Sequence, residues 1–176
     1  MRTAGSAEPG SVRIRPETPH DVEAVRQVHR LAFGRDEEAR LVDALRAGGW
    51  ARVSLVAEAD GVVAGHILFS DLPIVTGRGE VAALALAPVA VLPLDQRMGI
   101  GSALIREGLK LCRQQGGRIV IVVGEPGYYR RFGFSSELAR PLRAPFSGEA
   151  FMALELAPGA LAGVTGVVRY PEPFHC

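Results

Sequence analysis

Residues 89–104 read Val89-Ala90-Val91-Leu92-Pro93-Leu94-Asp95-Gln96-Arg97-Met98-Gly99-Ile100-Gly101-Ser102-Ala103-Leu104. An apolar strand feeds a glycine-rich turn, and the turn feeds a helix start. The first amides of a helix have no partner within it, and together with the helix dipole they favour phosphate oxygens. Glycines at 99 and 101 permit a backbone approach that a Cβ would block, and Arg97 adds a cation at the same turn. The glycines alone fit two readings, a phosphate-binding turn or a plain tight turn ahead of a core helix. Two nucleotide motifs fail here. A Walker loop needs Gly-Lys-Ser/Thr where Gly101 is followed directly by Ser102, and a dinucleotide fingerprint needs a glycine where Leu104 stands.

Outward from this stretch, the pattern alternates strands and helices. The long apolar run Val81 to Leu92 holds Pro88 and is followed by Pro93, so it reads as a central strand distorted near Pro88. Gly99 to Gln115 reads as a helix with Ile100, Ala103, Leu104 and Leu111 inward, stopped by Gly116-Gly117. Arg118 to Val123 is a buried strand of β-branched residues. Pro126 opens a short helix carrying Tyr128 and Tyr129. Upstream, Val12 to Arg15 is a short strand, and Thr18 starts a helix that ends at Gly34. A second helix spans Asp36 to Ala47. Strands Val53–Glu58 and Val62–Ser70 flank Asp60-Gly61, a strong hairpin signal. Downstream, strands are expected over 150–156 and 164–170.

The chain has 176 residues, enough for one domain that buries about two-thirds of its unfolded surface. Residues 1–11 are small and polar, lack the apolar core of a secretory signal, and are expected to be a frayed segment ahead of one domain over 12–176. With 20 basic and 19 acidic residues the net charge is +1, which offers no global attraction to nucleic acid or anionic lipid. No apolar run reaches 18 residues, so no membrane span is expected. Cys112 and Cys176 make no disulfide framework and read as free thiols in a reducing, cytoplasmic compartment. The histidines at 20, 29, 66 and 175 lack zinc spacing, so no metal is expected. Only one basic residue is a lysine, Lys110, a skew consistent with a GC-rich bacterial genome.

Gln96, Gly99 and Gly101 match the Gln/Arg-x-x-Gly-x-Gly/Ala loop, and this segment resembles the acyl-CoA pyrophosphate loop of the GNAT superfamily of N-acetyltransferases. A second signature of that family, a tyrosine followed by Gly-Phe, is similar to Tyr129-Arg130-Arg131-Phe132-Gly133-Phe134. With GHILFS at 65–70, GEPGYYRRFGF at 124–134 and FMALEL at 151–156, the combination looks closest to the YhbS-type predicted acetyltransferases. The resemblance covers roughly residues 12 to 172. It implies an α/β (α+β) GNAT fold, with a single mixed, mostly antiparallel sheet of about seven strands splayed in the middle and about four helices. It further implies that acetyl-CoA, as acyl donor, lies in the splay. The backbone of Val89, Ala90 and Val91 would meet the pantetheine arm, and Gln96, Arg97, Met98, Gly99, Ile100, Gly101 and Ser102 would cradle the pyrophosphate. Tyr129, by motif position, would stand at the leaving sulfur.

The implied reaction is direct attack of a primary amine, on a small molecule or a protein, upon the thioester. The base is open. Glu80 precedes the central strand in the region where some relatives carry a catalytic glutamate. His66 has a suitable ordinary pKa, while a lone strand histidine is more often a core residue. Glu125 either serves catalysis or caps the tyrosine helix. Tyr128 reads as a packed neighbour or a substrate-pocket wall, and Arg130 and Arg131 as a solvated charged turn ahead of the alternative that they reach phosphates. A non-catalytic acyl-CoA-binding or sensing module is the competing reading. The apolar segment from Phe151 to Tyr170 suits either the interior or a homodimer surface. The first two helices and the 135–149 loop are expected to set acceptor specificity.

Overall fold

The structure, a computed structural model, describes residues 11–145 and 148–175; the expectation for the N-terminal segment therefore lies, apart from Ser11, outside the described residues, as does Cys176. In chain order the elements are β1 (Val12–Pro16), α1 (Val22–Phe33), α2 (Glu37–Ala47), β2 (Ala51–Ala59), β3 (Val62–Asp71), β4 (Ile74–Thr76), β5 (Gly79–Val81) and β6 (Leu84–Val91). There follow α3 (Ile100–Gln114), β7 (Ile119–Val123), α4 (Pro126–Tyr129), α5 (Ser136–Ala139), β8 (Leu142–Arg143), β9 (Phe151–Glu155) and β10 (Gly166–Val168). The Asp60-Gly61 turn takes positive φ at both residues, 50° and 78°, as a two-residue hairpin requires.

A six-stranded sheet runs in the order β1-β2-β3-β6-β7-β9, antiparallel except for the β6–β7 pair. The expected single sheet is in fact two, because a four-stranded sheet, β5-β4-β10-β8, stands apart from it. Its first strand begins right after Pro73, which has no N–H to continue a ladder. The expected strand from Val81 to Leu92 is also divided. Val81 ends β5 in the small sheet, and the chain changes sheet at Ala82-Ala83 before β6. Composition hides this break, because both sides of it are apolar.

Period-two alternation along β3 separates two layers. Ile67 and Phe69 face α3 with Val53, Leu55, Leu104 and Ile105, while Leu68 faces α1 and α2 with Val25, Val42, Leu45 and Val56. A third apolar cluster joins β7 and β9 to the small sheet through Ile121, Phe151, Leu161 and Val168. Thr18 fixes the entry to α1. Its amide and hydroxyl donate to Asp21 at 2.7 and 3.0 Å, and Arg15 on β1 holds the same carboxylate at 2.7 and 2.8 Å.

The site is created by a gap in the large sheet. β6 and β7 pair only at Leu84–Val120 and Ala85–Ile121, and beyond those residues their edges part. On its other side β6 shifts register against β3 between Ile67–Val89 and Phe69–Leu86, so the strand carries an extra residue at Ala87-Pro88. The distortion expected from Pro88 is there. No described helix is long and apolar enough to cross a membrane, and the described residues hold no metal-binding group of three or more His, Cys, Asp or Glu.

Candidate active site

The backbone of β6 is available along the gap because of ladder alternation. Leu92 donates its amide to Ala64 across β3 at 2.8 Å, so Ala90, two residues back, also faces β3. Val89 and Val91 therefore turn their amides and carbonyls toward the gap. The Val91 carbonyl accepts a hydrogen bond from Gln96 Nε2 at 3.0 Å, which pins the turn to the strand end.

From Gln96 the chain enters α3 through Arg97 and Gly99, both with positive φ, 65° and 83°. That left-handed step aims the first helical amides at the gap. The first helical bond runs from Ala103 N–H to the Gly99 carbonyl at 3.0 Å, leaving the amides of Ile100, Gly101 and Ser102 ahead of the helix ladder. Around them lies a cavity of about 480 Å³ lined by Val91, Gln96, Arg97, Gly101, Tyr128 and Arg131, among others. A Cβ on Gly101 would project into it, 3.0 Å from the Tyr128 hydroxyl. The donor set suits a diphosphate: bare amides, two guanidinium groups, two hydroxyls and no carboxylate except Asp95 at the rim.

Tyr128 and Arg131 line this cavity, which, of the two readings open for each in the sequence, favours the pocket wall for Tyr128 and the phosphate side for Arg131. Arg131 donates Nη2 to Ser102 Oγ at 3.2 Å, and its guanidinium lies 4.7 Å from the Tyr128 ring centroid. The Tyr128 hydroxyl stands 3.5 Å from Ser102 Oγ. Helical spacing of 128 and 131 was the legible clue, since it puts both side chains on one face of a short turn.

Tyr129 sits deeper. It is 9% exposed, its ring packs edge-on against Tyr128 and Phe134 at 5.1 and 5.9 Å, and it rests on Gly124 at the end of β7. Burial, with the neighbouring Tyr128 adding to it, pushes its phenol up to about 12. Its hydroxyl makes no hydrogen bond to a described residue.

The two candidate bases do not join the turn. Glu80 lies on β5, about half exposed, ion-paired with Arg169, and it borders a different cavity with Cys112, Gln115 and Gly117. Those residues mark the far end of α3, and a 15-residue helix puts them some ~20 Å from the glycine turn. The change of sheet at Ala82-Ala83 carries Glu80 away from β6. His66 is fully buried on the opposite sheet face, with both ring nitrogens engaged: Nδ1 lies 2.8 Å from His29 Nε2, and Nε2 lies 2.8 Å from Ser54 Oγ. Cys112 is buried as well, with its thiol pushed by burial up to about 12, which leaves it inert as a nucleophile. Glu137, Arg140 and Glu149, from the loop expected to set specificity, line a separate polar cavity with Arg130.

Residues 13–136 match the family of the acetyltransferase (GNAT) domain. The uncharacterised N-acetyltransferase YhbS of Escherichia coli K12 is 37% identical over 166 residues, spanning 92% of this chain and 98% of its own. The crystal structure of E. coli YhbS in complex with CoA superposes with a TM-score of 0.88 at 34% identity, covering 98% of this chain and 97% of that one. A GNAT family acetyltransferase from Brucella melitensis, in complex with acetyl-CoA, superposes with a TM-score of 0.78 at 40% identity, covering 94% and 99%.

Proposed function

The chain belongs to the GNAT acetyltransferase family, and on that premise we propose that it transfers the acetyl group of acetyl-CoA to a primary amine by direct attack. The observation that carries the reading is the cavity at the start of α3, beside the end of β6 at Val91. It offers bare amides at residues 100–102 for a diphosphate, and the strand backbone of Val89 with the Val91 amide turned toward the gap for an amide-bearing arm. Two relatives of the same fold hold CoA and acetyl-CoA, which supports the same donor here.

In this reading Arg97 and Arg131 neutralise the diphosphate, Ser102 donates a hydrogen bond to it, and Tyr128 walls it. The arm then runs along β6, where an amide of Val89 or Val91 polarises the thioester carbonyl as its oxygen gains charge. An alkylamine with a pKa near ~10.4 is only about 0.04% neutral at pH 7, so the enzyme must favour loss of its proton. At the other end a thiolate departs. Against a thiol near ~8.5, full proton transfer from Tyr129 is uphill by roughly 5 kcal/mol, so Tyr129 donates a hydrogen bond to the forming thiolate. No covalent enzyme intermediate is invoked. A reducing cytoplasm, where acetyl-CoA and a free Cys112 coexist, fits this chemistry.

The test is thiol release from acetyl-CoA across a panel of small amines and amine-bearing peptides, beside calorimetric CoA binding. Amine-dependent release with a matching acetylated product supports transfer. Tight CoA binding with no release for any amine refutes it and leaves a binding module.

A further inference from the structure

The face of α3 that carries Ser102 continues outward from the cavity to Arg106, one turn further along the helix. Residues four apart on a helix share a face, with Cβ atoms ~5–6 Å apart. The turn at 126–132 lies against this face. Arg131 meets Ser102 at 3.2 Å, and its guanidinium carbon lies 5.6 Å from the centre of the Phe132 ring. The guanidinium carbon of Arg106 lies 5.1 Å from the centre of the same ring. Phe132 in turn packs edge-on against Tyr128 at 5.4 Å. Two guanidinium groups and two aromatic rings thus form a strip that starts in the cavity, at Tyr128 and Arg131, and ends at Arg106 on the surface beside it.

This strip has spare donors and no acid. Arg131 donates Nε to the Tyr128 carbonyl at 3.4 Å and Nη2 to Ser102, which leaves Nη1 without a partner among the described residues. Arg106 is exposed and makes no hydrogen bond or ion pair to a described residue, so its whole donor fork is open. The arginines around α1 and α2 are different, because carboxylates match them: Asp43 pairs with Arg26, Asp36 with Arg30 and Glu38 with Arg35. A guanidinium already held over a ring by cation–π attraction loses little further freedom on meeting an anion, and its planar fork fits two phosphate oxygens at once.

A ligand that matches this layout carries two anionic groups about one helical turn apart, one for the amides at 100–102 and one for Arg106. CoA has that form. Its adenosine ribose bears the diphosphate at the 5′ position and a separate phosphate at the 3′ position. One ribose lies between them, a span comparable with the ~6 Å rise from Ser102 to Arg106.

We infer that Arg106 binds the 3′-phosphate of CoA, with Phe132 holding its guanidinium in position, so that this chain distinguishes CoA from dephospho-CoA. The inference rests on the acetyl-CoA reading. Arg131 stands between the two phosphates and offsets their mutual repulsion. Arg106 is a binding residue and Phe132 a positioning residue; neither touches the thioester, so the discrimination falls on affinity and KM and leaves kcat alone. Solvent and salt screen an exposed contact, which sets the expected gain at ~10-fold in affinity, at the low end for a charge-assisted pair.

The experiment is calorimetric titration of the full chain with CoA and with dephospho-CoA, for wild type, Arg106→Ala, Phe132→Leu and Phe132→Tyr, beside a thermal melt of each. Wild type should bind CoA ~10-fold more tightly than dephospho-CoA, by a margin that shrinks as salt rises. Arg106→Ala should lose the margin by weakening CoA alone, with dephospho-CoA within about twofold of wild type. Phe132→Leu should narrow the margin to about threefold, and Phe132→Tyr, which keeps a ring under the guanidinium, should restore it. A wild-type margin under about threefold, or a ~10-fold margin that survives in Arg106→Ala, overturns the inference. Arg106 is exposed on α3, so Arg106→Ala decides the matter if Phe132→Leu fails to fold. Equal binding of both ligands by wild type removes the role of Arg106 and leaves the coenzyme reading standing; binding of neither refutes that reading and the inference with it.

Discussion

Gly101→Ala separates binding from folding at this site. The added methyl would lie 3.0 Å from the Tyr128 hydroxyl and 3.8 Å from Val91 Cγ2, with no backbone atom from outside its own helix within 4 Å. Gly101 is inside α3 and has no positive φ, so alanine is the better helix former there by roughly 0.5–1 kcal/mol. The unliganded fold should thus hold its melting temperature or gain slightly, after the tyrosine hydroxyl yields a little. A diphosphate meets a different situation, because the methyl stands between it and the bare amides. Losing one charge-assisted hydrogen bond of about 1.5–3 kcal/mol weakens CoA by about 10- to 150-fold. Isothermal calorimetry with CoA, beside thermal unfolding of the free protein, reads both quantities. Adding Tyr128→Phe opens the space the hydroxyl occupied and should recover part of the loss. Unchanged CoA affinity in Gly101→Ala would refute the placement of the diphosphate, and a large drop in free-protein stability would refute the argument from space.

Tyr129→Phe should lower kcat by ~10²-fold while CoA affinity stays within about twofold, since the ring and its packing persist; a smaller kcat loss would remove its role at sulfur. Arg131→Ala should weaken CoA by ~10-fold and flatten the salt dependence of binding, measured by titration at two ionic strengths. The histidine pair also predicts acid sensitivity. Burial holds His29 in the fold at about 3 against an ordinary 6.5, so between those values the unfolded chain binds more protons. Stability is then complete above about pH 6.5 and falls as pH drops toward 3, by a few kcal/mol (~3–5) at the limit. The lowered His66 and Glu17 act in the same direction. Thermal melts across that range check this, and His29→Gln should show a shallower acid decline.

Read locally, the chain already declared the parts of this enzyme that depend on near neighbours in sequence. Asp60-Gly61 demanded a hairpin because positive φ at two residues is a local property. Gln96, Gly99 and Gly101 announced a helix start with bare amides, because that feature needs only a few consecutive residues. Pro88 announced the distortion of β6. Tertiary structure decided everything that depends on which distant segments meet. Glu80 looked adjacent to the central strand, but a change of sheet at two alanines, invisible in composition, set it at the wrong end of α3. Tyr128 and Arg131 became cavity residues only when the turn at 126–132 folded against Ser102. The pairing of His29 with His66 joins residues 37 apart in sequence and arises where α1 lies across β3. Backbone geometry is written in short spacings because torsional preferences are local, whereas contacts between distant side chains are set by packing, which sums many weak contacts from the whole chain.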